Sequence, residues 1–181
     1  MIPVLQPEEE NMLSPKLTAA LNKQINEEYY SSYLYLAMAA YLEDQNLDGC
    51  AHWMRMQAQE EWEHGMKIFD YMIERGARVE LAAVAAPAKE WDGPVAAFEA
   101  SLEHEKYMTK SINALTDLAI AEKDHATNNL MQWYVTEQVE EESSVEDILK
   151  KLEMMGNTGT GLFMMDRELK SRPAPGSATA E

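Results

Sequence analysis

Thiol is almost missing from this chain of 181 residues, with Cys50 as its single cysteine. One cysteine forms no intramolecular disulfide and builds no all-thiolate metal site; a reducing, cytoplasmic location suits it. Glycine and proline are also scarce, at 8 and 7 residues, and they gather in a few places, so long uninterrupted elements are expected between them. Cationic side chains are outnumbered, 15 Lys and Arg against 32 Asp and Glu, for a net charge of −17. Such a surface repels the nucleic-acid backbone and anionic membranes, and it attracts cations. No apolar run reaches the roughly 20 residues a membrane-spanning helix needs. Met1 to Asn11 has neither a basic start nor an apolar core, so it does not read as a secretory signal.

What remains is a chain of helix formers, with 13 Met and many Ala, Leu and Glu. Residues 1–13 read as an extended arm. Ser14-Pro15 has the form of an N-cap followed by proline at the first helical position. From there the line Leu17, Leu21, Ile25, Glu28, Ser32, Tyr35, Ala39 and Leu42 predicts one helix of about 28 residues, roughly 42 Å long. A turn at Asp44 to Gly49 leads to a second helix from about Asp48 to Arg75, stopped by Gly76. Gly76 to Trp91 shows no helical face and is long for a helix connection, long enough to run back along a bundle. Asp92-Gly93-Pro94 opens a third helix that ends near Asp124, and a fourth runs from about Ala126 to Gly156. Asn157 to Gly161 reads as a turn, Leu162 to Lys170 as a short apolar fifth helix, and residues 171–181 as a disordered tail. The expectation is an all-α fold: residues 1–170 form one domain, a four-helix bundle with a long crossover between the second and third helices.

The apolar line of each long helix is broken at its middle by polar groups. They are Glu28 in the first helix, Glu61 with His64 in the second, Glu105 in the third, and Gln138 with Glu141 in the fourth. Glu28 and Glu61 stand 33 residues apart, as do Glu105 and Gln138, so the second half repeats the placement of the first. An unpaired buried carboxylate costs roughly several kcal/mol or more, so something must compensate these inward acids, and a cation held by Glu61 and His64 would do so. The set is rich in carboxylate, has one imidazole and lacks thiolate, which suits iron or manganese better than structural zinc.

The segments Tyr30-Ser31-Ser32, Gln59-Glu60-Glu61 with His64, and Gln132 to Gln138 with Glu140-Glu141 resemble the bacterial non-haem ferritins over about Met12 to Leu169. The resemblance implies a ferritin-like bundle assembled as a cage of 24 chains. It implies oxidation of Fe²⁺ by O₂ or H₂O₂ at a diiron centre, with ferric mineral stored inside. By position, Glu28, Glu61 and His64 would hold the first iron, and Glu105 and Glu141 the second, with Glu61 bridging and Gln138 beside the second. Glu60, Glu137 and Glu140, sharing Glu141, match a third iron site. Tyr35 matches the tyrosine beside the centre, a further electron donor, and Trp133 a nearby aromatic.

This chain departs from the family's relatives in ways that sharpen the expectation. Gln138 and Glu141 stand where bacterioferritin has a second Glu-x-x-His, which favours a site that passes iron on. Trp62 replaces the methionine that ligates haem there, so no haem is expected. Asn128 and Met131 replace the acidic pair that lines a channel in animal ferritins. His52, His104 and His125 have no partner at ligand spacing and read as surface or supporting groups. The alternatives are a sequestering protein that binds iron without turnover, a structural bundle with water-satisfied acids, and a small diiron oxidase.

Overall fold

A computed structural model describes residues 13–155 and 159–175. It is all-α, as the periodicity predicts: α1 (Pro15–Asp44), α2 (Asp48–Glu74), α3 (Pro94–Ala121), α4 (His125–Met155) and α5 (Gly159–Leu169), with no strand among the described residues. The arm over residues 1–12, residues 156–158 and the tail over 176–181 lie outside them.

The helix boundaries follow from local chemistry. Ser14 Oγ accepts the Leu17 amide at 3.1 Å, and Pro15 follows at the first helical position. α2 ends on Gly76 at φ +67°, where the Ala77 amide reaches back to Met72 O at 2.9 Å. Gly93, at φ +97°, places Pro94 at the start of α3. The same left-handed closure ends α1 and α3, at Asn46 (φ 59°) and Lys123 (φ 58°). Asp124 then caps α4, accepting the Thr127 amide at 2.9 Å, and pairs with Arg75 from the end of α2 at 2.9 Å.

α1 and α2 form one antiparallel pair, and α3 and α4 the other. The crossover lies along α1. Asn22 holds it with both amide atoms, donating to Arg78 O at 3.2 Å and accepting from the Glu80 amide at 2.7 Å. One turn on, Asn26 donates to Ala82 and Ala83 carbonyls. At the other end of α1, Tyr41 Oη donates to Trp91 O at 2.7 Å and accepts from the Gly93 amide at 3.0 Å. The connection thus carries the chain the length of the bundle, so α3 starts at the end where α2 started.

α5 begins earlier than its glycines suggest, taking in Gly159-Thr160-Gly161. Intrinsic propensity loses here to docking, because Met165 and Leu169 are buried against the bundle. Asp166 Oδ1 accepts the Gly49 and Cys50 amides at 2.8 and 2.9 Å, and so caps α2, whose own N-cap residue has no side-chain bond. Gly49 is required for this approach, since a Cβ there would sit 1.7 Å from Asp166 O. Beneath it Cys50 is fully buried, and burial, with Asp166 adding to it, pushes its thiol up to about 12.

The apolar core is not continuous. One cluster, around Tyr35, Met38, Leu42, Trp53, Met54, Phe98 and Val145, fills one end. A second, around Leu17, Leu21, Ile25, Ile68, Met72, Ile112 and Met131, fills the other. Each fully buried side chain of this kind stabilises the fold by about 1.5–3 kcal/mol. Between the two clusters lies a layer of buried polar side chains.

Candidate metal centre

Every helix of the bundle puts its central polar residue into that layer. Glu28, Glu61, His64, Glu105, Gln138 and Glu141 are all buried, none more than 6 % exposed. On α2 the i, i+3 spacing sets Glu61 and His64 on one face, with Nδ1 3.5 Å from Oε2. Glu28 arrives from α1, and ligand atoms of Glu28, Glu61 and His64 lie within 4.8 Å of one another. A second group of the same tightness joins His64 to Glu137 and Glu141 of α4.

Neutral donors hold the acids apart. Gln24 Nε2, one turn before Glu28, donates to Glu28 Oε1 at 2.9 Å. Gln57, one turn before Glu61, donates to Glu61 Oε1 at 3.3 Å and also to Glu141 Oε2, tying α2 to α4. Tyr35 Oη donates to Glu105 Oε1 and lies 2.9 Å from Ser101 Oγ, and Gln138 Nε2 donates to Glu105 Oε2 at 3.2 Å. Among the described residues of this layer, two buried side-chain oxygens have no hydrogen bond, Glu28 Oε2 and Gln57 Oε1. An orphaned carboxylate oxygen beside a second carboxylate and an imidazole fits a hard cation.

The electrostatics agree. Burial, then repulsion from Glu61, raises Glu28 well above the carboxylate range, and the same causes in the same order raise Glu141. Burial and the Glu61 charge push Glu105 up to about 8. Glu61 alone goes down, because its bond to His64 and the imidazolium charge outweigh its own burial. His64 is driven the other way by burial, yet its bond to Glu61 and the surrounding acids lift it to about 10. The shifts of the other three acids share one direction: burial and mutual repulsion work against charging Glu28, Glu105 and Glu141 together beside Glu61. A divalent ion among them would relieve that repulsion.

Within the layer Glu105 faces Tyr35 and Gln138. The remaining sequence-predicted residues are placed less centrally. Glu137 is half-buried beside His64, whereas Glu140 is exposed. Glu60 is drawn away to Arg172, which follows α5. Trp133 meets His64 edge-on at 5.3 Å, and Lys67 Nζ sits 4.1 Å over its ring. Gln24 and Ser101 were not singled out by the sequence. Their signal was present: each stands one turn before a buried acid, as Gln57 does. His104 is no bare surface histidine, since Nε2 meets Ser31 Oγ at 2.7 Å.

The chain is similar to known proteins over most of its length. The ferritin-like domain matches residues 18–155. A probable bacterial non-heme ferritin-like protein of Haemophilus influenzae is 42% identical over 158 residues, covering 87% of this chain and 96% of that one. A bacterial non-heme ferritin of Bacteroides fragilis is 40% identical over 161 residues, 89% of this chain and 100% of that one. Among solved structures, an open pore ferritin from the archaeon Archaeoglobus fulgidus superposes with a TM-score of 0.88 at 52% identity, over 89% of this chain and 99% of that one. A closed form engineered from the Archaeoglobus ferritin gives the same TM-score and identity over 90% of this chain.

Proposed function

This chain belongs to the ferritin family, and on that premise we propose that it is an iron store with ferroxidase activity, working in a cage of 24 identical chains. Fe²⁺ is its substrate and ferric mineral its stored product. The observation that carries this reading is the polar layer itself: Glu28, Glu61 and His64 within 4.8 Å, buried, with Glu28 Oε2 left without a hydrogen bond.

In this reading Glu28, Glu61 and His64 bind one ferrous ion. Glu105 and Glu141 bind a second, and Glu61 lies between them. Burial fixes the side chains and excludes bulk water, so the site is organised before the substrate arrives. Carboxylates stabilise Fe³⁺ more than Fe²⁺ and thus help drive the oxidation. Each ferrous ion gives up one electron; the two electrons with two protons reduce O₂ to H₂O₂, or H₂O₂ to two waters. Tyr35 keeps its proton, because burial and the neighbouring acids raise it well above the usual phenol range. Its hydroxyl orients Glu105. Glu137 and Glu141, next to His64, offer oxidised iron a way out of the layer.

The test is anaerobic loading with Fe²⁺, then addition of O₂. Two ions per chain before oxygen, ferric absorbance after it, and many more irons per particle on repeated additions are expected. Binding without ferric absorbance would mean sequestration alone, and a limit of two irons per chain would mean a small diiron oxidase.

A further inference from the structure

Glu60 projects from α2 next to the buried layer, at an open cleft of about 660 Å³ also lined by Glu63, His64, Trp133, Glu137 and Pro175. Its carboxylate is not free. Arg172, three residues beyond α5, reaches across α2 and pairs with Glu60 Oε2. The guanidinium is anchored rather than loosely attracted. It donates to Trp53 O at 3.2 Å and stacks 4.4 Å over the Trp53 ring, and its own carbonyl meets His52 Nε2 at 2.9 Å. Only 18 % of the Arg172 side chain and 25 % of the Glu60 side chain are exposed, so the pair is mostly shielded from water. A guanidinium suits this place, because it stacks and forks at once.

We infer that Arg172 is a tethered cation that guards Glu60, and that a metal ion leaving the buried layer by way of Glu60 must displace it. The inference rests on the iron-handling function proposed above. A guanidinium held on Glu60 Oε2 repels an ion that approaches the same carboxylate, so the pair sets how readily a third ion lodges at the mouth of the layer. Displacement frees the segment that follows α5, while Asp166 still holds the helix on α2.

The experiment titrates Zn²⁺, which is not oxidised, into the unaltered protein, Arg172→Ala, Arg172→Lys and Glu60→Gln, by equilibrium dialysis. Trypsin cleavage at Lys170–Ser171 is the second readout, and circular dichroism checks folding. Arg172→Ala is expected to bind the first two ions as before and the third about tenfold more tightly, whereas Arg172→Lys, which keeps the charge but loses the stack and the fork, falls between the two. Zn²⁺ beyond two per chain should speed cleavage of the unaltered protein, and Glu60→Gln should speed it without metal. Two tight ions with an unchanged third in Arg172→Ala would overturn the role of Arg172 alone. So would cleavage at Lys170–Ser171 that ignores both Zn²⁺ and Glu60→Gln. Absence of the two tight ions from every chain would overturn the iron-handling function itself.

Discussion

The two halves of the bundle repeat one another in backbone and differ in how they treat their acids. Glu28 and Glu105 stand 77 residues apart, and so do Asn46 and Lys123, the two residues with positive φ that turn α1 into α2 and α3 into α4. Yet in the first half Glu28 and Glu61 converge on His64 with an oxygen left over. In the second half Glu105 is bonded through both oxygens, to Tyr35 and to Gln138. The residue 77 after Tyr35 is Ile112, buried and without a polar atom. Glu28 keeps one buried oxygen without a hydrogen bond for a cation, whereas a cation at Glu105 would compete with the bonds on both its oxygens. The difference teaches that two similar ligand sets need not have similar affinity. It predicts that the first-half site fills before the second.

The largest effect is expected at Glu61, whose charge is felt at Glu28, Glu105 and Glu141 alike. Glu61→Ala should remove both ions, lowering Fe²⁺ affinity by at least about 100-fold, the upper end of what loss of a mere supporting partner costs. Anaerobic dialysis with Fe²⁺ measures it. The comparison is sharpened by two companions. Glu28→Ala should empty the first-half site only, and Glu105→Ala the second-half site only. Equal affinity for the one ion left in each companion would dissolve the asymmetry.

Tyr35→Phe probes the other side of the contrast. It removes the donor that satisfies Glu105 Oε1 and leaves Ser101 Oγ facing a ring edge. Loss of a buried partner costs about 1–3 kcal/mol, so the urea midpoint of the metal-free protein should fall accordingly. Binding of the first ion, held by Glu28, Glu61 and His64, should not change. A weakened first ion would show that the halves are not independent.

Much of this contrast was legible in the sequence, for reasons that can be named. Ser14-Pro15, Gly76 and Gly93-Pro94 punctuate helices by chemistry confined to a few residues, and the helix ends fall where they indicate. The inward acids broke a period that apolar residues kept on either side, so Glu28, Glu61, His64, Glu105, Gln138 and Glu141 were visible as a set. A one-residue shift escaped it: Ser31, not Ser32, is the buried serine of α1, because Ser31 meets His104 from α3. What periodicity cannot show is which group from a distant segment reaches in. Asp166 capping α2 and Arg172 on Glu60 are more than a hundred residues away along the chain from their partners. The early start of α5 belongs with them, since docking and not propensity sets it.

A smaller effect tests the bolt between the halves. Burial alone would raise the Asp124 carboxyl, but the Arg75 pair from α2 and the Thr127 amide outweigh it and hold Asp124 below its ordinary range. A depressed carboxylate stabilises the fold fully above its unfolded value of about 3.9, and that stabilisation is lost as pH falls through the folded value. Asp124→Asn keeps a capping side chain and drops the charge. At pH 7 it should be less stable than the unaltered protein by up to about 1 kcal/mol, and the gap should close below about pH 4. Urea midpoints of the metal-free proteins across that range measure it. A gap that does not narrow as pH falls below about 4 would assign the loss to the cap and not to the ion pair.

The smallest effect returns to the repeated turns. Asn46 tolerates a left-handed backbone because its short polar side chain is at ease there, and Lys123 in the equivalent place has no such help. Glycine removes the clash of Cβ with the backbone but loosens the unfolded chain, so the two contributions oppose each other. At φ 58° the relief should win, and Lys123→Gly is expected to stabilise the second half by about 0.5–1 kcal/mol. Asn46→Gly in the first half should gain less, because asparagine already visits that region readily. Thermal midpoints of the two variants, read side by side, decide it. If both turns gain equally, the halves share their backbone strain and differ only in the chemistry of the buried layer; if only Lys123→Gly gains, they differ in both.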